Sequence, residues 1–265
     1  MKALKKFLKK QKSITDLLLQ KPQQSFTPET FHSLRLAIKK LHAVFDLAKF
    51  CNKKFNKKKT FKPFSLIFQQ TGKIRELQVE TSLLEKYLFF NLPKEYSIYL
   101  KKELAKELKK FFSIINNALG LTLEKKYRKT IPFLIQLNKK KPQRYMDKKR
   151  TKIEKLLSQN SLKNKQIHLL RKRLKELQYN ESSLNYNKQN RIISNKNILP
   201  ELLGEWHDYK VTFNHLKKFI NSNVLDINEI NQLENLKVLF KFKKKLVYTK
   251  INATLSNHRF RKSIK

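Results

Sequence analysis

Glycine is nearly missing from this 265-residue chain, which has three, too few for the tight turns of β-hairpins, and an all-α fold is expected. Cys51 stands alone, so an internal disulfide and any multi-cysteine metal site are excluded, and a reducing compartment is expected. Acidic residues are scarce, 20 against 61 lysines and arginines, for a formal net charge of +41. No apolar run approaches the ~18 residues needed to cross a bilayer, so no transmembrane segment is expected. A glycine-rich phosphate loop, a His-Glu-x-x-His zinc helix and a nucleophile elbow are also missing. With six histidines and no clustered carboxylates, neither a metal hydrolase nor a bound cofactor is expected.

What is present is a core-forming composition. The chain is 40% hydrophobic and 11% aromatic, enough to bury one substantial core or two small fused ones. The charge opposes that compaction. Two like charges ~10 Å apart in water repel by roughly 0.4 kcal/mol before screening, so a bound polyanion would also stabilise the fold. Lysine far outnumbers arginine, however, and asparagine is abundant, a bias that AT-rich coding also produces. A good part of the lysine is therefore ordinary solvated surface.

Helical signals run along the chain. Residues 1–20 are basic, with Leu4, Phe7, Leu8, Ile14, Leu17 and Leu18 at roughly helical spacing. They lack the apolar centre and cleavage site of a signal peptide, and a first helix packing its stripe on the domain is favoured over a membrane-surface helix. Thr27-Pro28-Glu29 reads as a helix start, with cap, first-turn proline and acid in order. Leu104, Leu108, Phe111 and Ile115 keep helical period. Further helices are expected over 64–87, 94–119, 121–138, 161–181, 192–203, 205–220 and 227–255, with loops at 52–60 and 139–144. The second loop divides the chain into halves of about 1–140 and 141–265.

Two elements recur across that division. His32, Arg35, Lys39 and His42 follow offsets 0, 3, 7 and 10, one face of a helix. His168, Arg171, Lys175 and Gln178 repeat the offsets. Downstream, Gly72-Lys-Ile-Arg75-Glu76-Leu-Gln-Val79 aligns without gaps to Gly204-Glu-Trp-His207-Asp208-Tyr-Lys-Val211. His32 precedes Gly72 by 40 residues and His168 precedes Gly204 by 36. Two matched elements in the same order indicate a duplicated helical unit.

The paired motifs resemble the CHAD family, the conserved histidine α-helical domain, over roughly residues 2–264. The family pattern is a His-x-x-Arg helix with basic residues at offsets 7, 8 and 10, followed by a Leu-Gly, Arg-Asp, valine element. The resemblance implies two pseudo-symmetric four-helix-bundle halves forming one domain, a basic central channel and affinity for inorganic polyphosphate. Carried over by position, the binding residues are His32, Arg35, Lys39, Lys40 and His42, then His168, Arg171, Lys172, Lys175 and Tyr179, with Arg75 and His207 from the glycine elements. His42 and Gln178 stand where arginine is usual, Glu176 where a cation follows, Glu76 where aspartate is usual, and His207 where arginine is usual. The expected setting is the cytoplasm, in association with polyphosphate granules.

Polyphosphate carries about one negative charge per phosphate and no bases, so its receptor needs a line of cations more than a hydrogen-bond code. His32 and His168, with unperturbed pKa ~6.5, would strengthen such binding as pH falls. The alternative use of each histidine is a hydrogen bond to a neighbouring helix. Glu76 and Asp208 suit positioning of nearby cations or helix capping, and Gly72 and Gly204 suit close approach or a kink. Trp206 reads as core. Arg128, Lys129, Arg259, Arg261 and Lys262 read as surface, and Lys57, Lys58 and Lys59 as loop charge. The family often accompanies a triphosphate-processing domain with alternating glutamates, but Glu-x-Glu-x-Lys is missing here, and no catalysis is expected. The rival reading is a protein that binds RNA or other nucleic acid without sequence preference.

Overall fold

The computed structural model describes residues 2–88, 93–135, 140–184, 198–222 and 225–263, side chains excepted at 88, 117 and 257–263. Among these residues there are nine α-helices, one short 3-10 turn and no strand: α1 Lys2–Leu19, α2 Pro28–Cys51, α3 Lys57–Leu88, α4 Lys94–Ile114, α5 Asn117–Ile135, α6 Lys140–Leu157, α7 Asn164–Leu184, α8 Leu199–Ser222 and α9 Ile227–Ser263. The fold is all-α. None of these helices is long and apolar enough to cross a membrane.

Two compact units form from interleaved stretches. Unit 1 comprises Met1–Arg75, Glu107–Ile153 and Lys172–Ser194; unit 2 comprises Glu76–Lys106, Glu154–Arg171 and Asn195–Lys265. Helices α3, α4, α6 and α7 each contribute to both.

In unit 1, α1 lies on α2 and α5. It buries Leu4 and Leu8, and Lys12 bridges Asp16 and, across to α5, Glu124, both at 2.7 Å. The first half of its apolar stripe is therefore packed inside the protein, while Leu17 is exposed. Thr27 caps α2 as its spacing predicts: the hydroxyl oxygen accepts from the Thr30 amide at 3.3 Å, with Pro28 in the first turn. Ring contacts then join α2 to its neighbours, Phe31 to Phe111 at 5.0 Å and Phe45 to Phe64 at 5.6 Å, with Phe64 meeting Tyr127 at 5.2 Å. Aromatic pairs of this kind add about 0.5–1.5 kcal/mol beyond their area.

In unit 2, α8 packs along α9. Trp206, Tyr209, Leu216, Phe219 and Phe240 are buried there, so Trp206 is core. A polar network lies inside this apolar packing. Glu80, fully buried, accepts from the Tyr96 hydroxyl and bonds His215 Nδ1 at 2.7 Å. That bond, against the opposing effect of burial, raises the His215 pKa. A buried carboxylate without such partners would be strongly destabilising.

Several expected boundaries shift. The loop expected at 52–60 ends at 56, because the Asn56 side chain accepts from the Lys59 amide at 3.0 Å and starts α3. Lys57, Lys58 and Lys59 therefore belong to a helix. No helix is expected from sequence between 138 and 161, yet α6 occupies Lys140–Leu157 and takes in the loop expected at 139–144 from Lys140 onward, since Pro142 falls in the first turn, where its missing N–H costs little; Lys139 lies outside the described residues. The helix expected over 94–119 stops at Ile114, and Asn116 caps α5 by accepting from the Leu119 amide at 2.8 Å. No break occurs at Gly204: α8 runs through it, with Leu202, Leu203, Trp206 and Tyr209 keeping a buried helical period on either side. Residues 136–138 and 192–197, expected to be helical, lie outside the described set, as do the side chains of Arg259, Arg261 and Lys262.

Candidate functional site

Helix α2 carries His32, Arg35 and Lys39 on one face because its opposite face is committed to the core. Phe31, Leu34, Ile38, Leu41 and Phe45 are all buried there, which turns the cationic stripe outward. Arg35 is fixed by α3. Its Nη1 donates to the Phe68 carbonyl at 2.7 Å, and its guanidinium lies 4.5 Å from the centre of the Phe68 ring. Lys39 Nζ is 5.9 Å from that same ring.

Gly72 explains how Arg35 gets so close. A Cβ at this position would stand 2.8 Å from Arg35 Nη1, closer than side chains tolerate, so the missing side chain is a socket for the guanidinium. Gly204 has no such role, since a Cβ there would meet nothing within 4 Å.

His32 reaches solvent, yet its pKa is lowered. Desolvation by its neighbours acts first, followed by the positive charges of Arg75, Lys39, Lys175 and Arg35. Those four cations come from three helices: Arg35 and Lys39 from α2, Arg75 from α3 and Lys175 from α7. All belong to unit 1. Residues of both motif copies, His32 of the first and Lys175 of the second, are thus within electrostatic reach of one another.

The other expected residues are placed differently. Lys40 is half-buried beside α1, where desolvation and then Lys10 lower its pKa. His42 pairs with Asp46, Nδ1 to Oδ2 3.3 Å, and meets the edge of Phe61 at 4.6 Å. Burial lowers its pKa despite Asp46, with Lys57 and Lys172 in the same direction and Glu176 opposed. Glu176, standing where a cation is usual, is itself held by Lys149 at 2.7 Å. Tyr179 is buried in unit 1. Arg128, expected at the surface, is exposed and bonds Glu124 at 2.8 Å.

Unit 2 holds the remaining three, His168, Arg171 and His207. The His168 and His207 rings are 5.5 Å apart. His207 occupies in its glycine element the position that Arg75 occupies in the first. In each copy, then, the third residue after the glycine faces the motif histidine. Glu76 also lies in unit 2, where it adds to the field on His215. Sequence reasoning missed Phe68, which seats Arg35 and Lys39. Phe68 precedes Gly72 by one turn, but Pro200 stands at the matching place before Gly204, so no repeat marked it.

An all-α fold with two histidine-bearing motif copies, one within electrostatic reach of four cations, defines a class of basic α-helical domains. The CHAD domain family profile matches residues 3–217, and the chain belongs to that family. Two solved structures share the fold. The CHAD domain from the plant Ricinus communis superposes with a TM-score of 0.73 at 15% identity, covering 96% of this chain and 91% of that one. PptA from Streptomyces chartreusis superposes with a TM-score of 0.69 at 9% identity, covering 96% and 98%. No curated protein matches the sequence.

Proposed function

We propose that the chain binds inorganic polyphosphate without catalysing a reaction on it, in the cytoplasm and in association with polyphosphate granules. The observation that carries this reading is the convergence of Arg35, Lys39, Arg75 and Lys175 on His32. Cations brought together from three helices repel one another, a cost that an anion seated among them reverses. Arg35 is pre-oriented by Phe68 and Gly72, which lowers the ordering cost of binding. The second motif copy adds Arg171 and the His168–His207 pair, whose rings are 5.5 Å apart.

The test is a comparison of two triple variants binding fluorescently labelled polyphosphate, with folding checked by circular dichroism. His32→Ala/Arg35→Ala/Lys39→Ala is expected to weaken binding by about tenfold or more. Lys101→Gln/Lys102→Gln/Lys109→Gln removes at least as much positive charge, all of it exposed, from α4 and is expected to change binding by about twofold or less. Equal losses would mean that diffuse charge suffices.

A further inference from the structure

Unit 1 has a second cationic surface where α2 meets α3. Two adjoining depressions, of about 480 and 810 Å³, share Asn56, Lys57 and Lys58 and so form one groove. Seven lysines line it, among them Lys49, Lys54, Lys58 and Lys62, and none of its lining residues is acidic. Asp46 is already engaged by Lys57 at 2.6 Å and by His42 at 3.3 Å.

This groove differs in kind from the His32 cluster because it is also apolar. Lys58, Lys62, Leu66 and Gln69 follow offsets 0, 4, 8 and 11 along α3, a single helical face. That face passes from cations to a leucine 50% exposed and then to an amide. Beside it Phe61, half-buried, meets His42. A bare phosphate chain gains nothing from Leu66 or Phe61. A nucleotide does, because it joins an apolar disc with hydrogen-bonding edges to a phosphate, and an unpaired strand leaves both accessible.

We infer that this groove binds single-stranded RNA, with bases against Leu66 and Phe61 and phosphates on the lysines. The two polyanion readings then belong to two places on one unit and are not alternatives. The RNA site does not depend on the His32 cluster.

Fluorescence anisotropy of the full chain with labelled oligoadenylate, run in parallel with polyphosphate, tests this. Leu66→Asn changes no charge and alters an exposed position. It is expected to weaken RNA binding about fivefold to tenfold, through loss of the apolar surface a base would cover, and to change polyphosphate binding by about twofold or less. Lys58→Gln/Lys62→Gln is expected to reduce the slope of log affinity against log salt for RNA by about 1.4, at ~0.7 per phosphate contact. Arg35→Ala/Lys39→Ala is expected to show the opposite selectivity; if it spares polyphosphate, the His32 reading fails while the groove stands. RNA binding insensitive to Leu66→Asn overturns the inference, as does equal loss of both ligands. So does polyglutamate displacing RNA as well as RNA of equal charge does.

Discussion

Desolvation and then four surrounding cations lower the His32 pKa in the anion-free protein, which favours the neutral ring. A polyphosphate seated there reverses the sign of the local field and raises that pKa, so binding takes up a proton. The linkage follows directly. The bound state carries the higher pKa, so this contribution is full below the anion-free pKa and is lost as pH rises through the bound one. Affinity for polyphosphate is expected to climb on acidification from pH 8 to 5.5, by about tenfold per pH unit at most. Calorimetry in buffers of different ionisation enthalpy reports the proton uptake. His32→Gln, which keeps the polar surface but removes the titration, is expected to flatten the profile; an unchanged profile would place the titrating group elsewhere.

Eight of the nine described helices were legible from sequence, α6 was not, and helix ends were less so, for a physical reason visible in α3 and α8. Proline and glycine mark helix ends in a sequence, but burial decides whether the helix stops. Pro63 lies inside α3 and Gly204 inside α8, yet both helices continue, because the apolar face on either side costs more to unpack than one missing hydrogen bond or one glycine. The His-x-x-Arg stripe was legible because its spacing is itself the helical period. The Gly72 socket was not, since only packing reveals that Arg35 fills it. The two aligned glycines therefore separate experimentally. Gly204→Ala fills open space in α8 and is expected to add about 0.5–1 kcal/mol of stability. Gly72→Ala gains the same propensity but drives Arg35 off the Phe68 carbonyl, a bond worth about 1 kcal/mol, so its melting temperature is expected to stay near wild type while polyphosphate binding weakens. Thermal melts paired with binding measurements check both; wild-type binding by Gly72→Ala would remove the socket from the site.

Across the whole molecule, a formal charge of +41 on 265 residues sets stability against electrostatics. Of the described ion pairs on α1, α5 and α6, three join helices and three are local and partly exposed, and exposed local pairs are worth little individually. The four cations that act on His32 are held together against their mutual repulsion. Two additives should relieve this repulsion by different routes. Sodium chloride screens exposed charges within a Debye length of about 8–10 Å, acting on the surface as a whole. Polyphosphate acts by occupying sites, and at a hundredfold excess over its Kd it contributes about 2.7 kcal/mol, a rise of about 5–10 °C for a chain of this size. The melting temperature is therefore expected to rise gently in salt, but in polyphosphate to stay flat below the Kd and then climb by about 1.4 kcal/mol of stability per tenfold increase in concentration. Adding salt to the polyphosphate complex is expected to lower its melting temperature back toward the salt-only curve, because released counterions no longer favour binding. Scanning fluorimetry across both titrations separates the routes. Orthophosphate at equal phosphate concentration matching the long chain would show that the cations act singly and that the clustering around His32 confers no preference for a polymer.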